Sequence, residues 1–204
     1  MIDKKIALKQ FRELEKRQGE MRLAAEGWSS PYQILISIIL SARTLDETTI
    51  RVSHILFARY PTVQSLAEAK ILEIEEMIRS INFYKNKSKN IIACANDIVK
   101  NYNGIIPLEY TQLISLPGVG NKTANVFLSE MGKSTIGVDT HVYYISRHLG
   151  WSTSTKPELV EKDLKKLFPE FYWTKLNPTL VKFGKKYTSR KEKNRILEGI
   201  KKIN

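Results

Sequence analysis

The chain has 204 residues, with 33 Lys and Arg against 21 Asp and Glu, which gives a formal charge of +12 at neutral pH. Its hydrophobic content of 42% is enough to build a core and excludes disorder of the whole chain. The single cysteine, Cys94, excludes an internal disulfide and any metal site built from several cysteines of this chain.

Helical periodicity dominates the chain. Ile6, Phe11 and Leu14 mark an amphipathic N-terminal helix. Ser30 as N-cap and Pro31 as first residue begin a second helix, which is apolar almost all round and is therefore predicted to be central and buried. Alternating strand patterns are scarce, so the sequence predicts an all-α fold. The further predicted helices are Asp46–Tyr60, Val63–Ala69, Ile71–Ile81, Lys85–Lys100, Thr111–Ser115, Lys122–Glu130, Thr140–Leu149, Lys156–Phe168 and Asn177–Lys186.

The positive charge favours a polyanionic partner, of which nucleic acid is the most common. The alternative is that the lysines only raise solubility. The longest apolar run, Ile34–Leu40, is far shorter than the ~20 residues that span a bilayer, and Met1–Gln10 is too charged for a signal peptide. The sequence therefore predicts an intracellular, cytoplasmic protein with no membrane partner.

The charge is concentrated at the C-terminus. Residues 182–204 carry nine Lys and Arg against two Glu, which is +7 of the total +12. One interpretation is a surface that contacts phosphates. The other is a solvated, frayed tail.

The stretch Leu113–Ala124 predicts two short helices joined by a tight turn. Pro117, Gly118 and Gly120 leave this turn without bulky side chains, and Asn121 is predicted to be the N-cap of the second helix. Backbone N–H groups at such a helix start bind phosphate without reading base sequence. The alternative is an ordinary helix corner stabilised by glycine.

Lys122 and Asp139 each fall at a predicted helix start. The positive end of the helix dipole disfavours the ammonium form of Lys122 and so favours the neutral amine, which is nucleophilic. A phosphate contact without chemistry is the alternative for this lysine. Asp139 precedes an apolar helical pattern and is predicted to be its N-cap, where a carboxylate is pinned and able to stabilise a cationic sugar.

These motifs together resemble the endonuclease III family of the helix–hairpin–helix superfamily of DNA glycosylases. Leu116–Ala124 and Val138–His141 carry most of the resemblance, and it continues in Ser30–Tyr32, Leu40–Asp46 and Ile81–Lys89. The resemblance implies two helical domains with a cleft between them. The first is a six-helix barrel domain at 26–135 that contains the hairpin, and the second combines 1–25 with 136–204.

The resemblance also implies chemistry. Lys122 and Asp139 fall on the catalytic lysine and aspartate of a bifunctional glycosylase and abasic-site lyase, a base excision repair enzyme that releases oxidised pyrimidines by family default. A monofunctional mismatch or uracil-type glycosylase and a non-catalytic helix–hairpin–helix DNA-binding module remain alternatives. The implied partner is double-stranded DNA containing damaged or abasic nucleotides, bound by a monomer.

Further contacts follow from the same resemblance. Phe83 falls on the position that wedges into the duplex, and Arg43 on the position that fills the gap. Thr140 and His141 are candidate pocket residues. The residues predicted to bind DNA are Leu116, Gly118, Val119, Gly120, Arg43, Phe83, Lys85, Lys87 and Lys89.

The sequence departs from the family at two places. Many members carry four C-terminal cysteines that hold a [4Fe–4S] cluster, whereas the matching region here, 183–191, has none. The expectation is an enzyme with no metal or other cofactor. Among the positions where the family handles the orphan base and the gap, Arg43 stands where glutamine is usual, Phe83 where a smaller aliphatic is usual and Asn82 where glycine is usual. The preference for the opposite base and the range of damaged bases are therefore the properties that the resemblance implies least.

Overall fold

The computed structural model describes residues 2–203; Met1 and Asn204, which the predicted second domain includes, lie outside the described part. All regular structure within 2–203 is helical, which confirms the all-α class. A 3-10 turn at Glu170–Tyr172 joins the tenth and eleventh α-helices. The α-helices of this range are α1 (Lys4–Arg17), α2 (Pro31–Ser41), α3 (Asp46–Arg59), α4 (Val63–Ala67), α5 (Ile71–Met77), α6 (Tyr84–Tyr102), α7 (Tyr110–Leu113), α8 (Asn121–Glu130), α9 (Thr140–His148), α10 (Pro157–Leu167), α11 (Trp173–Lys186) and α12 (Arg190–Lys201).

The chain divides into two compact units. The continuous unit is Arg22–Met131 and contains α2 to α8. The two-segment unit combines the chain up to Met21 with the chain from Gly132 onward, and contains α1 and α9 to α12. No helix in residues 2–203 is long and apolar enough to cross a membrane.

Helix α2 is the centre of the continuous unit. The hydroxyl of Ser30 accepts a hydrogen bond from the amide of Gln33 at 3.3 Å, and Pro31 is the first helical residue, so the predicted start is confirmed. The helix packs against α3, α6 and α8, and its side chains are buried nearly all round. Each large aliphatic side chain buried in this way contributes about 1.5–3 kcal/mol.

The core of the two-segment unit joins residues from both ends of the chain. Trp151 is fully buried, and its indole Nε1 donates to Oε1 of Gln10 on α1 at 2.7 Å. The Trp151 ring packs edge-on against Phe168, which in turn contacts Phe11 of α1 with ring centroids 5.9 Å apart. The first helix is therefore an integral part of this core.

The C-terminal segment is an ordered helix, so the interpretation as a frayed tail is wrong. Ser189 caps α12 by accepting from the amide of Glu192, and Leu197 and Ile200 are buried in the core of the two-segment unit. Helix α11 begins at Trp173 rather than at the predicted Asn177. Pro178 lies inside it, where the missing N–H removes one helical hydrogen bond.

Candidate catalytic residues and nucleic-acid interface

The turn between α7 and α8 is built as the sequence predicts, with one shift. Gly118 has φ +80°, and a Cβ there would also lie 3.0 Å from Cβ of Asn90, so both backbone and space require glycine. The N-cap of α8 is Gly120, whereas Asn121, the predicted cap, is the first helical residue. Because Gly120 provides no side-chain cap, the first-turn amides of α8 have no such acceptor, as an anion site requires.

Leu116 and Val119 have a different role from the predicted contact with DNA. Both side chains are buried in the core of the continuous unit. Their amides also donate inside the turn, Leu116 to the carbonyl of Leu113 and Val119 to that of Leu116, each at 3.1 Å. These residues therefore shape the hairpin, and Gly118 and Gly120 remain its predicted phosphate contacts.

Lys122 is the second residue of α8 and is half-buried. The first turn around it is fixed by Asn125, which is 4% exposed and whose Nδ2 donates to Oδ1 of Asn121 at 2.6 Å. The helix start therefore fixes the backbone from which the Lys122 side chain extends, and an amine is the side-chain group that nucleophilic chemistry at this position requires.

Asp139 is the N-cap of α9, and that structural prediction is confirmed. Its Oδ1 accepts from the amides of His141 and Val142, both at 2.9 Å. The preceding backbone is fixed as well, because Nδ2 of the buried Asn177 on α11 donates to the carbonyl of Gly137 at 2.7 Å. The carboxylate is therefore held in one orientation, with Oδ1 occupied by the cap.

His141 and Thr140 start the same helix. Thr140 is exposed, whereas His141 is half-buried against Gly184 of α11. A Cβ at position 184 would lie within contact of Nδ1 of His141, 2.8 Å from its Cγ and 3.1 Å from its Cβ. The glycine is thus required for the observed position of the imidazole.

Arg43 and Phe83 are both held with left-handed backbones, at φ 56° and φ 60°. This conformation costs a residue other than glycine about 1–3 kcal/mol and is found where the surroundings enforce it. The guanidinium carbon of Arg43 lies 4.9 Å from the ring centroid of Phe83, and the ring is 55% exposed. An exposed aromatic ring on strained backbone, covered by a cation, is typical of a functional contact.

The three lysines that follow Phe83 do not share one environment. Lys85 and Lys89 are exposed, and for them phosphate contact stays a prediction. Lys87 is 7% exposed, and its Nζ lies 2.7 Å from the carbonyl oxygen of Leu40 and 2.6 Å from that of Ala42. Because its protons are directed at protein oxygens, Lys87 is not placed to contact phosphate.

The described residues do not fit a four-cysteine cluster. Cys94, the one cysteine, is buried within α6, where burial raises the pKa of its thiol to about 12 and disfavours the thiolate that a metal requires. The region that matches the cysteine-bearing segment of the family, 183–191, forms the end of α11, the turn after it and the first two residues of α12. Among residues 2–203 there is also no group of three or more His, Cys, Asp or Glu arranged to hold a metal ion.

Two residues that support this site, Asn177 and Gly184, have no role predicted from the sequence, and Asn82 is marked there only as a departure from the family. All three act through partners distant in sequence, and only the folded chain brings them together. No local signal marks the role of Asn177, because Asn followed by Pro is typical of a helix start, whereas the structure places both inside α11.

Comparison with known proteins gives consistent matches. A model of the HhH-GPD superfamily of base excision DNA repair proteins matches residues 36–170. Endonuclease III of Thermotoga maritima is 41% identical over 159 residues, which is 78% of this chain and 75% of that protein. Endonuclease III of Synechocystis is 39% identical over 160 residues, 78% of this chain and 73% of that protein.

The fold is also similar to that of a solved complex. A trapped covalent intermediate of an endonuclease III with DNA, in an estranged-adenine complex, matches with a TM-score of 0.84 and 33% identity. The match covers 93% of this chain and 89% of that one.

Proposed function

Because the chain belongs to the HhH-GPD superfamily of base excision DNA repair proteins, and is a DNA glycosylase and abasic-site lyase of the endonuclease III type, we propose that Lys122 is its nucleophile and Asp139 its catalytic carboxylate. The observation that carries this assignment is that both residues are held by helix starts, Lys122 in the first turn of α8 and Asp139 as N-cap of α9. These positions fix the carboxylate of Asp139, through its cap hydrogen bonds, and the backbone of Lys122 before substrate binds.

The proposed reaction has two stages. The neutral amine of Lys122 attacks C1′ of the damaged nucleotide, the bond from C1′ to the base breaks, and the base leaves with a proton. The nitrogen lone pair then forms a double bond to C1′ while the bond from C1′ to O4′ breaks and O4′ takes up a proton, which gives a Schiff base with the opened sugar. Loss of a proton from C2′ breaks the bond from C3′ to its oxygen and releases the 3′ phosphate, and water hydrolyses the Schiff base to regenerate the amine.

Asp139 is proposed to act through the negative charge of its carboxylate. Its negative charge is proposed to stabilise the cation that develops on the sugar as the base leaves, which lowers the barrier. Thr140 and His141, on the same helix start, are proposed to line the pocket for the released base.

We propose double-stranded DNA with damaged or abasic nucleotides as the substrate, and oxidised pyrimidines as the bases released by a monomeric enzyme. Gly118 and Gly120 are proposed to present amides to a phosphate, and the exposed Lys85 and Lys89 to contact the backbone. Arg43 and Phe83 are proposed to enter the duplex where the damaged base leaves the stack. Extruding a base costs a few kcal/mol, which such wedge residues offset.

The role of Lys122 is tested by borohydride trapping on a duplex that contains an abasic site. Wild-type protein is expected to form a covalent adduct, and Lys122→Ala is expected to form none. Lys122→Arg keeps the charge but has no neutral amine at working pH, so it is expected to bind the duplex without an adduct. The exposed Lys100 provides a control, Lys100→Ala, that should trap as wild type does. An adduct retained in both position-122 variants would overturn the assignment.

We propose further that the enzyme works without an iron–sulfur cluster and that α12 provides the order a cluster loop would provide. Three contacts support this role: the burial of Leu197, the hydrogen bond from the Tyr144 hydroxyl to Asn194, and the approach of His148 Nε2 to a carboxylate oxygen of Glu198 at 2.7 Å. All three join α12 to other helices of the two-segment unit, which also contains Asp139. Elemental analysis of the purified, active protein is expected to find less than one iron per ten chains, and four per chain would refute the proposal.

The basic face of α12 is proposed to contact phosphates. Lys191, Lys201 and Lys202 are exposed, so their replacement by Gln leaves the buried side of the helix intact. Each lost contact is expected to reduce the slope of log K against log salt by about 0.9. The control pair Lys70→Gln and Lys100→Gln removes exposed charges from the continuous unit. An unchanged slope in the triple variant would exclude this face.

A further inference from the structure

Lys87 is a buried cation bound to the end of another helix. Besides its two carbonyl partners, its Nζ lies 3.2 Å from Oγ1 of Thr44, so the three protons of the ammonium have three oxygen acceptors. Leu40 is in the last turn of α2 and Ala42 is its C-cap. Carbonyls at a helix C-terminus lack partners within the helix and favour a cation, so Lys87 satisfies both requirements.

The segment that Lys87 holds contains Arg43. Arg43 lies between Ala42 and Thr44, and Lys87 contacts both of these neighbours. Arg43 itself has a left-handed backbone, which a free loop would not keep. The contacts on either side of Arg43 therefore define the direction in which its side chain leaves the backbone.

Asn82 joins this segment to Phe83. Its amide donates to Oγ1 of Thr44 at 3.2 Å, and its Nδ2 donates to the carbonyl of Arg43. Lys87 lies one turn after Phe83, and its own amide donates to the Phe83 carbonyl at 3.0 Å. Lys87 thus contacts both left-handed segments, one through its side chain and the other through its backbone.

We propose that Lys87 is a positioning residue that holds Arg43 and Phe83 together as one preformed wedge before DNA binds. The inference rests on the proposed role of Arg43 and Phe83 in entering the duplex. Lys87 touches no reacting atom in this scheme. A wedge that is already ordered loses less entropy on insertion, so the binding energy is available for extruding the base.

The test compares double-stranded with single-stranded DNA carrying the same abasic site, because only the duplex requires a wedge. Lys87→Met keeps the aliphatic stem and removes the ammonium. It is expected to slow strand cleavage of the duplex at least tenfold and to leave cleavage of the single strand within twofold of wild type. The matched control is Lys100→Met, on the exposed far part of α6, about 20 Å away along the helix.

A double variant separates positioning from general destabilisation. If Lys87 acts through the wedge, Lys87→Met adds less than a twofold loss to the duplex rate of Phe83→Ala. Full additivity, or equal slowing on both DNA forms, would overturn the proposal. Should Lys87→Met fail to fold, Thr44→Val removes the shared hydroxyl with no charge change, and is expected to lower the duplex rate selectively. A Thr44→Val protein with unchanged selectivity would count against the proposal.

The outcome also distinguishes this inference from the proposed function. Failure of the wedge itself would appear as an unchanged ratio of duplex to single-strand cleavage in Phe83→Ala. Failure of the nucleophile would appear as a borohydride adduct in Lys122→Ala on single-stranded abasic DNA. Neither result depends on Lys87.

Discussion

The contact between Gly184 and His141 supports a prediction about the first turn of α9. Gly184→Ala introduces a methyl group 2.8 Å from Cγ and 3.1 Å from Cβ of His141. Rotating the imidazole relieves contacts with the ring but not the one with Cβ, so α9 or α11 must shift as well. Such a shift displaces the helix start that Asp139 caps.

The magnitude follows from two opposing effects. Alanine in a helix interior is more favourable than glycine by about 0.5–1 kcal/mol. Forcing an atom into packed space costs about 1–3 kcal/mol, so we expect Gly184→Ala to lower the free energy of unfolding by about 1–2 kcal/mol. For a chain of this length each kcal/mol corresponds to about 2–4 °C in Tm.

Gly199 provides the matched control. It is also a helical glycine of the two-segment unit, in α12, but a Cβ there meets nothing within 4 Å. Gly199→Ala should therefore raise the free energy of unfolding by about 0.5–1 kcal/mol, the preference of a helix for alanine over glycine. The assay is thermal and urea unfolding followed by tryptophan fluorescence, with borohydride trapping on abasic duplex for the site. If Gly184→Ala raises Tm as much as Gly199→Ala does, the steric reasoning is refuted.

Three further predictions concern other residues of the site. Asp139→Asn keeps the capping oxygen, so its free energy of unfolding should lie within about 1 kcal/mol of wild type, whereas Asp139→Ala should lose about 0.5–2 kcal/mol. Both variants should excise the base at least ~100-fold more slowly. Normal excision by Asp139→Asn would contradict the role of the charge. Burial lowers the pKa of Lys87 from 10.5 to about 8, so between pH 8 and pH 10.5 the unfolded chain binds more protons than the folded one. The free energy of unfolding of wild type, measured relative to Lys87→Met, should therefore rise from pH 8 to pH 10. A difference between the two proteins that stays flat or falls in urea titrations would contradict this prediction. The guanidinium of Arg43 only donates hydrogen bonds, and guanine offers O6 and N7 as acceptors. In competition cleavage assays, wild type should therefore prefer lesions opposite guanine to lesions opposite adenine, and Arg43→Ala should lose that preference. An equal preference in both proteins would exclude recognition of the opposite base by Arg43.

The features that the sequence predicts correctly depend on neighbouring residues. Ser30 and Asp139 are N-caps because a short polar side chain before an apolar periodic stretch satisfies the first amides of a helix. The same local logic predicts the glycine turn before α8. These determinants lie within a few residues of one another, so the linear pattern contains them.

The features that the sequence does not predict depend on distant partners. Lys87 has the sequence context of a surface lysine, and only the C-terminus of α2, 45 residues earlier, turns it into a buried ligand of carbonyls. The sequence of α12 is so rich in charge that it resembles a solvated tail, although Ser189 as an N-cap and the apolar Leu197 and Ile200, three residues apart, are typical of a helix with one buried side. Pro178 suggested a helix start because prolines usually occupy first turns.

The shared core of α1 and the C-terminal helices has a consequence for synthesis on the ribosome. The buried pairing of Gln10 with Trp151 cannot form until the chain beyond Trp151 has emerged, whereas the continuous unit is complete at Met131. At about 5–20 residues per second, the nascent α1 waits on the order of 10–40 s for its last partner helix. During that interval the apolar side of α1, including Phe11, is accessible to chaperones. A chain released before α12 is synthesised would lack part of the hydrophobic core of the two-segment unit, which contains Asp139.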